Sequence, residues 1–444
     1  MITPNRRKFL AATGTAFAGL FLNSCASLGP RASSSAALSG AASPVGQLLP
    51  DPAGILDLPE GFTYRVISRH DTPMSDGGTV PDRADGMGCF DLGNGKLALV
   101  RNHELQPQHD GGSIPNGPAY DTVARSLIPL PGGTTTLVLD AGTLELEREY
   151  RSLAGTIRNC AGGITPWGSW LTCEENTSRA DGRINKDHGW VFEVPASAPG
   201  LVEPMPLKAM GRFNHEAACV DPATGIIYLT EDRDDSVLYR FLPLRPGQLS
   251  VGGTLQALKL EGLSDTRNWS ERTIAVGEVA RGTWITLDNV ESPDDDLRQR
   301  AAAQGATMFA RGEGIWMGDG EMYFTSTSGG AARQGQIFRL APAIHEADML
   351  ELFYESPQES EYSFGDNITV APSGHLVVCE DSYDDVVQNH LRGITPAGAA
   401  YPLALLNMQT ELAGACFSPD GRTLFVNAYS PTMTFAITGP WPSA

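Results

Sequence analysis

The 444-residue chain carries 32 basic and 52 acidic side chains, a formal charge of −20. That balance argues against nucleic acid and anionic membrane surfaces as partners and suits the binding of cations. Glycine (49) and proline (31) are plentiful and long helical periodicities scarce, the composition of a turn-rich β protein.

The chain opens on Asn5-Arg6-Arg7-Lys8-Phe9-Leu10, a twin-arginine export signal in form. An apolar stretch follows over residues 9–22, too short to span a bilayer. Leu22-Asn23-Ser24-Cys25 resembles a bacterial lipoprotein cleavage box. Residues 1–25 are therefore expected to be a signal and residues 26–46 a flexible Ala/Ser/Gly linker. Residues 47–444 are expected to form one domain, periplasmic or held by a lipid on Cys25 at the outer side of the inner membrane. The other reading of Cys25 is a cysteine in a discarded signal cleaved near Ala36. Twin-arginine export carries folded proteins, which suits a metal site assembled beforehand.

Six cysteines remain, an even count that invites a disulfide framework. Cys89, Cys173, Cys219, Cys379 and Cys416 lie in apolar strand-like runs, where cysteine behaves as a small buried hydrophobe. Cys160 stands apart, beside Arg158, Asn159 and a glycine-rich turn.

A hidden repeat organises the rest. Six segments begin on a glycine and read as strands with polar ends: GKLALVRNHE from Gly95, GSWLTCEEN from Gly168, GIIYLTEDR from Gly225, GEMYFTSTSGG from Gly320, GHLVVCEDS from Gly374 and GRTLFVNAYS from Gly421. A short strand precedes each glycine, and the turns carry hairpin residues such as Pro-Ser-Gly and Pro-Asp-Gly. The unit recurs about every 65 residues, which predicts a six-bladed β-propeller with a central metal-binding channel. FTYRVISR, from Phe62, is expected to pair with the last blade and close the ring. One helix is expected over residues 294–310, with Asp294 to Asp296 at its start.

In a hairpin the start of the first strand lies beside the end of the second. First-strand starts hold Arg83 and Asp85; Asn159 and Cys160; Asn214, His215 and Glu216; Arg311 and Glu313; Asp366 and Asn367. Second-strand ends hold His103 and Glu104; Glu174 and Glu175; Glu231 and Asp232; Glu380 and Asp381. Converging on one mouth of the channel, so many carboxylates would repel unless cations lay among them. Carboxylates and amide oxygens favour hard ions such as calcium; a thiolate from Cys160 points to iron, zinc or another softer ion. His188, His345, His375 and His390 stand alone, and no zinc-ribbon, HExxH, P-loop or serine-elbow spacing occurs.

Several motifs together carry a resemblance: Arg101-Asn102-His103-Glu104, Asn159-Cys160-Ala161-Gly162-Gly163, Trp170-Leu171-Thr172-Cys173-Glu174-Glu175, Gly211-Arg212-Phe213-Asn214-His215-Glu216, Tyr228-Leu229-Thr230-Glu231-Asp232-Arg233 and Arg311-Gly312-Glu313-Gly314. The chain resembles the PhoX family of bacterial alkaline phosphatases. The resemblance implies a six-bladed propeller, twin-arginine export and a calcium–iron cluster (Ca2+, Fe3+) that hydrolyses phosphomonoesters. It makes Cys160 the thiolate ligand of iron, has Glu216 and Glu313 hold the cluster, and sets Arg311 on the phosphoryl group of a small substrate. Ligand roles for Glu104, Glu174, Glu175, Glu231, Asp366 and Glu380 follow from the hairpin geometry instead. A monomer is expected. Two strand ends, Ser326-Thr327-Ser328 and Asn427, lack carboxylates, so the ring is not uniformly acidic. Two other readings stay open: a calcium-dependent propeller hydrolase acting on lactones or phosphotriesters, and a non-catalytic propeller lipoprotein.

Overall fold

The structure, a computed structural model, describes residues 43–343, 347–382 and 387–442. The export signal, Cys25, most of the linker, His345, Asp384 and Asp385 lie outside those residues.

The architecture is all-β and propeller-like. It is built on the six glycines that open the repeated segments, which all adopt positive φ, between 71° and 90°. That conformation strains any residue with a Cβ, so glycine at this point sets the turn between two strands. The six hairpins that result are Ala84–Gly93 with Lys96–His103, Asn159–Ile164 with Ser169–Glu174, His215–Val220 with Ile227–Glu231, Gly312–Met317 with Met322–Ser326, Gly365–Val370 with Leu376–Glu380, and Leu412–Phe417 with Thr423–Ala428. They are numbered one to six here. A third antiparallel strand lies outside each, for example Gly132–Asp140 in the first and Met433–Thr438 in the sixth. Thr63–Arg69 pairs with Met433–Thr438, so the start of the domain completes its last sheet, as FTYRVISR suggests.

The first strands pack each against the next in chain order, and the first strand of hairpin six packs against that of hairpin one. The ring closes. The sheets do not fall into six equal units, however. Val279–Thr286 pairs with Asp348–Glu355 and fuses the sheets of hairpins three and four into one of nine strands. Apolar side chains fill the spaces between neighbouring sheets, as where Leu171, Phe213, Leu229 and Phe241 meet. Each such burial is worth about 1.5–3 kcal/mol.

The axis is packed rather than open. Small residues there let the first strands approach closely: a Cβ on Gly86 would stand 2.5 Å from Ala161 Cα, and one on Gly314 would stand 2.7 Å from the Ile368 nitrogen. The remaining void is about 20 Å³. The central channel expected from the repeat therefore narrows to a filled axis beneath a polar mouth.

The helix is shorter than residues 294–310, covering Leu297–Ala303. Gly305, at φ 95°, ends it, and Met308–Phe309 leaves to pair with Ser236–Val237. All six cysteines of the domain are free and buried. Among the described residues no helix is long and apolar enough to cross a membrane.

Candidate functional site

Every hairpin carries the same irregularity near its open end. The register slips between Ala84 and Met87, Asn159 and Gly162, His215 and Ala218, Gly312 and Ile315, Gly365 and Ile368, and Ala413 and Cys416. Each slip is a β-bulge, with two residues facing one, and bulges re-aim side chains beside functional sites. The first bulged residue is in turn Asp85, Cys160, Glu216, Glu313, Asp366 and Gly414. Five equivalent positions thus hold an acid or a thiol. The sixth holds a glycine at φ 65°, where a Cβ would stand 2.3 Å from the Asp85 carbonyl oxygen.

In four of the six hairpins the residue two positions before the first bulged one is also alike. Arg83, Arg158, Arg311 and Phe364 all have left-handed φ, between 47° and 57°. Each offers its carbonyl to the residue after the second strand: Arg83 to Glu104 (2.9 Å), Arg158 to Glu175 (2.8 Å), Arg311 to Thr327 (3.0 Å) and Phe364 to Asp381 (3.0 Å). Non-glycine residues in this region are strained and tend to mark functional sites.

Consecutive hairpins are then tied at the mouth. Glu104 of hairpin one takes an ion pair from Arg158 of hairpin two at 2.5 Å. Glu175 accepts from the Asn214 side chain at 2.8 Å, and Asp232 from Arg311 Nε at 2.7 Å. Thr327 donates to the Gly365 carbonyl at 2.9 Å. Tyr429 accepts from Arg83 at 3.0 Å and donates to Glu104. At the joint of hairpins five and six, Asp381 faces Glu411, acid against acid.

Three groups, two of them sharing Asp366, lie inside this belt. Glu104, Cys160 and Glu175 bring ligand atoms within 4.8 Å of one another, as do Glu216, Glu313 and Asp366; Asp366 also meets Asp381 and Glu411 at that range. Cys160 Sγ is 3.6 Å from Asp85 Oδ2. Burial first, and then the neighbouring acids, push Asp85, Cys160, Glu216 and Glu313 well above their ordinary values. The same causes raise Glu175 to about 8, against the pull of Arg158, and Asp366 to about 7. Glu216 is fully buried and neither of its carboxylate oxygens has a hydrogen-bond partner among the described residues. An orphaned buried carboxylate costs several kcal/mol unless something positive meets it. The donor set therefore fits a bound metal: carboxylate oxygens for hard ions, and one thiol among them for a softer one.

The other proposed ligands are drawn elsewhere. Glu174 accepts from the Ile157, Gly189 and Trp190 backbone nitrogens and lies 2.6 Å from His188 Nδ1. Glu231 accepts from Tyr239 at 2.8 Å and pairs with Arg298. Glu380 takes Arg392 at 2.7 Å and His390 at 3.0 Å. All three occupy the last position of their second strand, one residue before the position that reaches the mouth. Successive strand residues point to opposite faces, so only one of each acidic pair can face the axis. Arg311 stands at the mouth, holding Asp232 through two nitrogens and Glu313 at 3.0 Å.

Sequence reasoning passed over two residues. Arg158 precedes the Asn-Cys motif at the same bulge position as Arg311, an equivalence visible once the repeats are aligned on the bulge. Glu411 lies in the approach to hairpin six, where no strand-end register marks it.

The sequence matches the model of the alkaline phosphatase PhoX family over residues 43–141 and 133–432. No curated protein matches it significantly. Among solved structures it is similar to PhoX of Pseudomonas fluorescens in complex with vanadate, a transition state analogue. The two share 19% identity over 87% of this chain and 96% of that one, with a TM-score of 0.67. A gluconolactonase of Xanthomonas campestris gives 14% identity over 90% and 99%, with a TM-score of 0.42.

Proposed function

The chain belongs to the alkaline phosphatase PhoX family, and on that premise we propose that it hydrolyses phosphomonoesters at a calcium–iron cluster held in the propeller mouth. The observation that carries this reading is Glu216, a fully buried carboxylate with no hydrogen-bond partner, set within reach of Glu313 and Asp366. Those three would hold calcium, while Cys160 with Glu104 and Glu175 would hold Fe3+. Glu174, Glu231 and Glu380 would brace the strands beneath them. The closed ring of first strands supports counting residues 47–444 as a single domain of six blades.

Bound ions of this kind neutralise phosphate oxygens and supply an activated nucleophile. The chain's own part is to fix the geometry around a small phosphorylated substrate. Asp232 grips Arg311 through two nitrogens, which sets the plane of a guanidinium that is 24% exposed at the mouth. There it would take the charge growing on the phosphoryl oxygens. Residues 1–25 would direct twin-arginine export, with lipidation at Cys25 and residues 26–46 as the linker. The mature enzyme would be a periplasmic or lipid-held monomer.

The test is hydrolysis of p-nitrophenyl phosphate by pure protein, with metal analysis of the same sample. Turnover that is lost on chelation, with iron and calcium both present, is the expected result. A Cys160→Ala enzyme with full activity would remove the thiolate role. Calcium alone, lactone hydrolysis and an indifferent Cys160 would sink the phosphatase reading in favour of a lactonase-type enzyme.

A further inference from the structure

Arg158 occupies an unusual place. Its Nη2 lies 2.5 Å from Glu104 Oε1 and 2.7 Å from Glu175 Oε2, and its Nε donates to the same Glu104 oxygen at 2.5 Å. These are the two carboxylates that converge with Cys160. A cation already sits between them, and it belongs to the protein. The Glu216 group differs, since Arg311 touches Glu313 alone of its three carboxylates and Glu216 meets nothing.

The side chain has freedom that its backbone lacks. The Arg158 nitrogen donates to the Leu105 carbonyl at 3.0 Å, and its own carbonyl accepts from Glu175 at 2.8 Å. The strand start is fastened on both sides. The guanidinium end, by contrast, is part of a side chain 31% exposed at the mouth. Arg101 shows what a fixed pair looks like in this fold: wholly buried, it meets Glu149, Ser68, Thr135 and Thr434. It has nowhere to go. Arg158 is held through Glu104, Glu175 and, at 3.5 Å, the Glu175 carbonyl, with its outer side open to the mouth.

We propose that Arg158 is the positioning residue of the Cys160 group, its guanidinium holding Glu104 and Glu175 together in the metal-free protein and swinging out when a metal takes those carboxylates. The inference rests on the reading of that group as a metal site. It gives the domain a way to fold before loading, because the paired arginine offsets the repulsion that would otherwise splay the two acids. It also sets a threshold, since a metal must displace the arginine and its apparent affinity falls accordingly.

The experiment titrates Co2+ into chelator-treated protein and follows the thiolate-to-cobalt absorption band, with melting of the metal-free protein measured alongside. In Arg158→Gln the metal-free protein should melt lower, while half-saturation by Co2+ should fall about tenfold because no guanidinium has to leave. Arg158→Lys should lie between the two, and Cys160→Ala should lack the band. A band that rises at the same or higher Co2+ concentration in Arg158→Gln overturns the inference while leaving the metal site standing. An unchanged melting temperature overturns it as well. Absence of the band from every variant removes the Cys160 site itself, and the inference with it.

Discussion

The Cys160 and Glu216 groups at the mouth are both built around a bulged residue, yet the chain pairs their acids to different extents. Around Cys160, Arg158 spans two carboxylates and Tyr429 donates to one of them, so each acid has a partner within the protein. Around Glu216, three carboxylates share one arginine contact and the central one has none. The same backbone device thus yields one group whose carboxylates the chain pairs itself and one whose central carboxylate it leaves unpaired among the described residues. What differs is the residue two positions earlier: Arg158 in hairpin two, Asn214 in hairpin three.

The strongest test of that difference is Glu216→Gln. With metals supplied, phosphatase turnover should fall about 100-fold or more, as for loss of a group that holds the reacting centre. In chelator near neutral pH the same variant should be more stable than the parent by about 1 kcal/mol, since Gln is neutral without the proton that burial forces Glu216 to take up. Opposite signs in the two assays mark a ligand; a loss in both would make Glu216 merely structural.

Next in size is Glu174→Ala, one residue from Glu175. It should cost about 3–5 kcal/mol in denaturant melts by stranding His188 and three backbone donors, while bound metal per protein stays unchanged. Loss of metal with little loss of stability would break the assignment of alternate faces.

A third test is the pH dependence of the metal-free protein. Glu175 and Asp366 titrate at about 8 and about 7 when folded, above the ordinary carboxyl values of 4.5 and 3.8. The folded state therefore binds more protons than the unfolded chain between roughly pH 4 and pH 8. Their contribution is fully present below pH 4 and is lost as pH rises through 7 and 8. Melting temperature in chelator should fall from pH 5 to pH 8, and saturating Ca2+ should flatten or reverse that slope. The smallest expected effect is Tyr429→Phe, which removes one donor to Glu104 and should cost about 1–2 kcal/mol in the same melts.

Much of the fold was legible because the turn chemistry is local. Glycines at 95, 168, 225, 320, 374 and 421 are needed wherever a hairpin turns through positive φ, and a pattern of six such turns implies a ring of hairpins. The helix was overdrawn because Met308–Phe309 answers to a partner strand more than 70 residues away in sequence, which no local propensity records.

The sequence by itself determined that acids and one thiol recur at the open ends of the hairpins, because hairpin pairing brings a strand's start beside its partner's end. Only the tertiary structure decided which of them meet. The bulge in the first strand re-aims Cys160, while strand alternation sends Glu175 to the mouth and leaves Glu174 behind. Packing of one hairpin on the next then sets Arg158 of one hairpin against Glu104 of the one before. Both depend on the three-dimensional register of strands far apart in the chain, and register is a property of the packed ring rather than of any single segment.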